Sequence, residues 1–357
     1  MRLFKKLIVA SLCVLILVLA GSGLWVWQGL QTLERPVTLD EPLLFNVPGG
    51  SAFSQIARKL ENEGLVQDSL WLRLYGRLYP EQARIKAGEY EFSSGMSPLS
   101  MVEAMVAGDT KHWSVQFIEG WTFTDMRAAL ARSERLAKKT VDWTDAEIMK
   151  AIGAEGEHPE GRFFPDTYLY VSSDSDLDLM RRAYKKMAEV LAEEWEAREE
   201  GLPYKTPYEA LIMSSIVERE TGAPHERDQV AGVFVRRLEK GMRLQTDPTV
   251  IYGMGDKYKG RISSRDLRTH TPYNTYRING LPPTPIALPG REAIHAALNP
   301  DDGDALYFVA RGDGTHKFSR TLREHQKAVR EFQLNRRDDY RSSPSTPSET
   351  DQDEGGS

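Results

Sequence analysis

Residues 208–220 read YEALIMSSIVERE, and this stretch organises the rest of the chain. Its apolar residues recur at helical rather than strand spacing, and Thr221-Gly222 is a natural stop, so the pattern predicts a helix over 208–220. Three carboxyls lie on it, at Glu209, Glu218 and Glu220. At ~100° per residue the last two point roughly 200° apart. Glu220 shares an arc with Ile212, Met213, Ile216 and Val217, whereas Glu218 falls with Leu211, Ser214 and Ser215. A carboxyl partly desolvated by apolar neighbours keeps its proton to higher pH and suits general-acid work. Burial points to Glu220, and a groove face beside hydroxyls points to Glu218. Periodicity alone leaves both open.

Towards the C-terminus, a second helix is expected through Val230 to Lys240, closed by Gly241. Then come RLQTDPTVIYGMG (243–255), TPYNTYRINGLPPTPIALPG (272–290) and LYFVARGDGTHKFSRTLREH (306–325). The last reads as a strand, a turn at Gly312-Asp313-Gly314, and a second strand or loop. Asp247, in Gln245-Thr246-Asp247-Pro248, is a second candidate carboxylate, although Asp-Pro-Thr is also a common way to start a turn or cap a helix. Tyr273, Asn274 and Tyr276 offer aromatic faces and an amide, or a satisfied loop network. Ser214-Ser215 lack a GxSxG setting, so a serine hydrolase is not supported. The seven histidines show no paired-ligand spacing, and no metal or cofactor is expected. His316 and His325 remain as residues that could line a site.

Towards the N-terminus, a strand at Ser114–Ile118 precedes helical segments at 124–137, 143–152 and 176–199, with the loop EGRFFPDTY at 160–168. Residues 110–335 form the expected main α+β domain. Before it, residues 43–109 read as strand (Leu43–Val47), helix (52–62, with Ser51 able to cap it), helix (after Asp68) and strand (86–92), then a helix over 98–106. That order resembles a LysM-like module, a small fold that docks on N-acetylglucosamine-containing chains; a packing domain that touches no glycan reads the same way.

The chain begins with Arg2, Lys5 and Lys6 before an uncharged apolar run from Leu7 to Trp27. At ~1.5 Å per residue such a run reaches across a ~30 Å hydrocarbon core. Trp25 and Trp27 sit where an interfacial belt belongs, and the basic flank predicts a cytoplasmic N-terminus. A cleaved signal peptide ending near Ala20 is the rival, but the apolar run continues past it. Residues 1–27 are therefore read as a flank and single-pass anchor, 28–42 as a polar linker, and 336–357, rich in Ser, Pro, Asp, Glu and Gly, as a disordered acidic tail. Cys13 is the only cysteine, which excludes an intramolecular disulfide and a cysteine metal site. With 40% apolar and 27% charged residues of both signs and a net charge of −6, nothing points to nucleic acid.

Taken together, the anchor, the LysM-like unit, EGRFFPDTY, SSIVERET, RLQTDPTVIYG, YNTY, GLPPTPI and LYFVARGDGTHKFS resemble, in this order, the MltG (YceG-like) family of endolytic murein transglycosylases. The resemblance covers the chain from the anchor to about residue 330. It implies cleavage of MurNAc–GlcNAc bonds inside peptidoglycan glycan strands, leaving 1,6-anhydro-MurNAc ends. It implies Glu218, the first Glu of VERE, as catalytic acid/base, with Ser215, Gln245, Thr246, Asp247, Tyr273, Asn274 and Tyr276 as candidate substrate contacts. It also implies an inner-membrane protein with a periplasmic catalytic domain, and peptidoglycan synthases as partners. A hydrolytic muramidase using Glu218 with Asp247, or a non-catalytic scaffold, are the competing expectations.

Overall fold

The structure, a computed structural model, describes residues 2–220 and 223–334. The expected tail at 336–357 and the helix stop at Thr221-Gly222 lie outside them. Two compact units are present, residues 1–113 with 169–174, and residues 114–168 with 175 onward. The secondary structure is mixed α+β.

In the first unit, helix α1 (Arg2–Gln31) continues into a 3-10 turn at Thr32–Glu34. The span Lys6–Glu34 is long and apolar enough to cross a membrane. Strand β1 (Leu43–Val47) is followed by α2 (Phe53–Asn62), α3 (Ser69–Leu78), β2 (Gly88–Phe92) and α4 (Pro98–Ala107). β1 and β2 pair antiparallel, Leu43 opposite Phe92 and Val47 opposite Gly88. Asp68 caps α3, its Oδ1 accepting the Leu70 N–H at 2.8 Å. At α2 the cap position belongs to Ala52 rather than Ser51; the Gln55 side chain accepts the Ala52 N–H at 3.0 Å and does the work expected of the serine. Phe45, Ile56, Leu60, Leu72, Tyr90, Phe92, Met101 and Met105 form the core.

The expected linker at 28–42 is not all linker. Leu33 is 2% exposed within that same core. Gly29 lies so close to Trp71 that an added Cβ would sit 2.2 Å from the indole, and Trp25 meets Trp71 edge-on at 4.7 Å. The apolar helix therefore ends docked on its own unit, because Leu33 and Trp71 are buried there, which a free polar tether would forgo.

The chain continues with β3 (Trp113–Gln116), α5 (Phe123–Arg132), α6 (Asp145–Ala151), β4 (Thr167–Tyr170) and α7 (Asp176–Glu196). β3 and β4 form a two-stranded sheet. Then follow α8 (Pro207–Glu220), α9 (Arg227–Glu239), α10 (Asp247–Met254), α11 (Ser264–Arg268), α12 (Arg291–Leu298), β5 (Tyr307–Ala310), β6 (His316–Ser319) and α13 (Leu322–Val329). β5 and β6 are antiparallel, Tyr307 opposite Ser319.

Helix α8 is the axis of this unit. Every residue from Ala210 to Val217 is buried, against α7, α9, α10 and α12. A helix buried all round has no solvent face, which corrects the expectation of an open groove beside Ser214 and Ser215. Both hydroxyls turn back on the helix, to the carbonyls of Ala210 and Ile212 at 2.7 Å each. Ser215 Oγ also accepts the Ile286 N–H at 3.0 Å, fastening the 284–288 segment to the helix.

Gly161 sits where the EGRFF loop meets that segment. Its φ is +77°, and a Cβ there would lie 2.4 Å from Pro285 and 3.3 Å from the Ala287 carbonyl. Gly161→Ala combines a left-handed backbone with a clash, so it should cost about 2–4 kcal/mol. Urea unfolding followed by circular dichroism measures this; a loss under about 0.5 kcal/mol would contradict the packing described.

Candidate active site

The last turn of α8 places three successive side chains against three different segments. Glu218 Oε2 accepts the Gly290 N–H at 2.9 Å, where α12 begins, and Oε1 lies 3.8 Å from Arg227. Arg219 donates to the Gly120 carbonyl at 3.0 Å. Glu220 points elsewhere, and Thr246 donates its hydroxyl to Glu220 Oε2 at 2.6 Å. The two candidate carboxyls thus have different surroundings, as the ~200° between them requires.

The Glu220 side is a cavity of about 450 Å³ lined by Gln245, Asp247, Tyr276, Arg237, Tyr307 and His325 among others; Glu218 is not among its lining residues. Thr246 is held in turn by Thr275, whose hydroxyl accepts the Thr246 N–H at 3.1 Å and meets the Thr249 hydroxyl at 2.8 Å. Gln245 donates its N–H to the Thr275 carbonyl at 3.2 Å. Its φ of +53° is left-handed for a residue with a Cβ, a strain of about 1–2 kcal/mol that the surrounding hydrogen bonds hold in place. Asp247 opens α10, and its Oδ1 accepts the Tyr276 hydroxyl at 2.7 Å. Arg237 closes the floor, donating to the carbonyls of Leu306 at 2.7 Å and Leu244 at 2.6 Å.

Burial pushes the Glu220 carboxyl up to about 7, with the Asp247 charge adding to the rise and the Thr246 hydrogen bond and Arg237 opposing it. Glu218 is also raised, first by burial and then by Glu119 and Glu292, while the Gly290 N–H and Arg227 pull it down. The two raised carboxyls face different surroundings: Glu220 lines the cavity with Asp247, and Arg227, which meets Glu218, lines a second cavity of about 500 Å³ with Arg291 and Glu292.

The remaining expected contacts separate. Gln245, Asp247 and Tyr276 line the cavity with Glu220; Thr246 is buried behind it as the hydrogen-bond donor. Asn274 is 1% exposed and spends its amide on the carbonyls of Asp266, Leu267 and Thr269, while its Oδ1 accepts the Tyr276 N–H. It shapes the YNTY loop and has no surface left to offer a ligand. Ser215 is fully buried with its hydroxyl consumed, and Tyr273 bonds Thr284 at 2.9 Å and packs on Tyr252. His316 pairs with buried Glu226 at 2.7 Å, and so serves the framework. Among the described residues no cluster of three or more His, Cys, Asp or Glu could hold a metal.

Glu160 was not singled out by the sequence. It is 4% exposed, accepts the Phe123 N–H at 2.9 Å and the Tyr252 hydroxyl at 3.1 Å, and burial lifts its carboxyl to about 7. Its signal in the sequence is only an Glu-Gly in an aromatic loop, because both partners are remote in the chain.

The YceG-like family model matches residues 45–331. An endolytic murein transglycosylase of Bacillus subtilis is 32% identical over 85% of this chain and 88% of its own length. An endolytic murein transglycosylase of Streptococcus pneumoniae is 26% identical over 91% of this chain and 65% of its own length. A crystal structure of a YceG-like protein from Listeria monocytogenes covers 80% of this chain and 99% of its own, at 31% identity and a TM-score of 0.50. The chain belongs to the YceG-like family.

The Glu160 carboxyl makes a stability prediction. Between the unfolded value near 4.5 and the folded value near 7, the folded state keeps a proton that the unfolded state has released, so this group's contribution to stability falls as pH rises through that window. Glu160→Gln has no proton to lose. Relative to the parent it should gain up to about 3 kcal/mol on going from pH 4 to pH 8. Denaturant unfolding at the two pH values reads the difference directly; an effect of the same size at both would contradict the protonated state.

Proposed function

We propose that this chain is an endolytic murein transglycosylase in which Glu218 is the catalytic acid and base. The observation that carries the assignment is the Glu218 carboxyl in the last turn of α8, raised by burial and by Glu119 and oriented by the Gly290 N–H and Arg227, in a chain similar to endolytic murein transglycosylases. Glu220 is the competing acid: its carboxyl is pushed up to about 7 and shares a cavity with Gln245, Asp247 and Tyr276.

Protonated Glu218 donates to the oxygen between MurNAc C1 and the next GlcNAc, and that C–O bond breaks. Positive charge develops at C1 and its ring oxygen. The MurNAc 6-hydroxyl closes on C1, and Glu218, now a carboxylate, takes its proton. The strand is left with a 1,6-anhydro end, the acid is restored, and no water is consumed. The Tyr276 hydroxyl fixes the Asp247 carboxylate, and Gln245 presents an exposed amide for sugar hydroxyls.

The wider reading is a single-pass inner-membrane protein anchored through residues 7–27, with a cytoplasmic N-terminus and a periplasmic catalytic domain from about residue 110. Residues 43–109 are a LysM-like module, for which the strand-helix-helix-strand order and the antiparallel β1–β2 pair speak. Anchoring restricts the enzyme to strands near the membrane, where peptidoglycan synthases are the expected partners.

Glu218→Gln should lower strand cleavage about 10²- to 10⁴-fold, because an amide still accepts the Gly290 N–H but has no proton to give, whereas Glu220→Gln should stay within roughly tenfold of the parent. Mass spectrometry of products from purified glycan strands measures rate and chemistry together. An active Glu218→Gln with an inactive Glu220→Gln would reverse the assignment, and hydrated reducing ends from the parent would make the enzyme a muramidase. Asp247→Asn keeps its reach to the Tyr276 hydroxyl, so it should leave substantial activity and the same anhydro product; a fall as deep as that of Glu218→Gln would make Asp247 a nucleophile or base.

A further inference from the structure

Helix α3, in the first unit, presents two unlike arcs at ~100° per residue. Ser69 and Leu72 are buried on the inner one, and Leu72 joins the core of the unit. Trp71 stands at the edge, against Trp25 and Gly29 of α1. The outer arc carries Leu70, Leu74 and Leu78, with Arg73 and Arg77 beside them, and the helix has no acidic residue. Leu70 is 36% exposed and Leu78 55%, with Leu74 half-buried between them. With Ser54 of α2, the two arginines, Leu70 and Leu74 line an open groove of about 400 Å³. Arg73 Nε is buried in it with no hydrogen-bond partner, and among the described residues no carboxylate pairs with Arg73 or Arg77.

The place of this arc follows from α1. Trp25 lies in the last turn of the apolar run, and Gly29 stands about 6 Å further along the axis. Trp71 touches both, so α3 sits at the level where the apolar run ends. The core that Leu33 joins continues from there, away from the run, and α3 turns its inner arc to that core. The outer arc is left facing the bilayer. Leucines buried at the headgroup boundary, with arginine stems reaching up to phosphate depth, are the pattern of a helix lying in an interface. In water the same leucines would be an exposed apolar stripe.

We propose that the outer face of α3 is a membrane-docking surface, on which Leu70, Leu74 and Leu78 enter the headgroup boundary and Arg73 and Arg77 meet the phosphates of anionic phospholipids. This rests on the reading of residues 7–27 as a membrane span and deepens it. The first unit is then held twice, by α1 through the bilayer and by α3 on its surface. Two contacts fix its orientation to the membrane, where one would let it swing.

The test uses the full chain in vesicles of phosphatidylglycerol mixed with bromine-labelled phosphatidylcholine, whose bromines quench a bimane fluorophore on contact. One label goes on Cys13, the only cysteine, which is exposed on α1. The other goes on Leu78→Cys in a Cys13→Ser protein. Both labels should be quenched. Arg73→Gln with Arg77→Gln should lower the docked-to-free ratio about 25-fold, at about fivefold for each basic residue. Quenching at position 78 should then fall while that at Cys13 stays, in a protein with the parent's melting temperature. Replacing phosphatidylglycerol by phosphatidylcholine should act in the same direction. A label merely carried near the bilayer by α1 would be quenched equally with and without the arginines, and that result overturns the proposal. Quenching at Cys13 with none at position 78 overturns the docking and leaves the span, whereas no quenching at either position overturns both.

Discussion

The Thr246 hydroxyl donating to Glu220 at 2.6 Å is the contact on which the last turn of α8 depends. It ties the end of a helix buried from Ala210 to Val217 to a loop that would otherwise have no fixed place. Thr246 is itself held by Thr275, and Thr275 by Thr249, so one carboxyl is oriented by a chain of hydroxyls spanning α8, α10 and the YNTY loop. Hydrogen bonds in low dielectric strengthen one another and exact a cost if any member is left unpaired, so the network is fixed as a whole. The strained backbone of Gln245 belongs to the same network, because the turn that sends Thr246 inward sends its neighbours Gln245 and Asp247 outward to the cavity.

Burial pushes two carboxyls in this unit, Glu160 and Glu220, up to about 7, and they differ in what they can reach. Glu160 is enclosed by Phe123 and Tyr252, and its shift is a consequence of packing. Glu220 reaches a cavity with a second carboxyl group on its rim. Burial that raises a carboxyl is costly to stability above its unfolded value.

Much of the secondary structure was legible in the sequence because it rests on local chemistry. Asp68 caps α3, and a Gly-Asp-Gly turn separates β5 from β6. The site was legible in part. Gln245, Asp247 and Tyr276 share a cavity with Glu220, the second Glu of the VERE stretch, while Glu218 meets Gly290 and Arg227. The ~200° separation does part the two carboxyls, but α8 is buried on every side from Ala210 to Val217, and what distinguishes the two is which distant segment meets each. Asn274 and Ser215 were polar residues in promising places whose hydrogen bonds turned out to be spent internally. Glu160, Arg237 and Tyr307 are defined by partners far away in the chain, which no local pattern reports. At the other end, the polar composition of 28–42 hid Leu33, a single apolar residue sufficient to pull that segment into a core.

The central claim is that the Glu218 carboxyl keeps its proton above the ordinary carboxyl range in the folded protein. Carboxyl ¹³C NMR of glutamate-labelled protein measures this, with the resonance assigned by its loss in Glu218→Gln. The account predicts a midpoint above 4.5, the ordinary carboxyl value, for that resonance. A midpoint at or below 4.5 would leave the end of α8 with no acid to donate and would contradict the account.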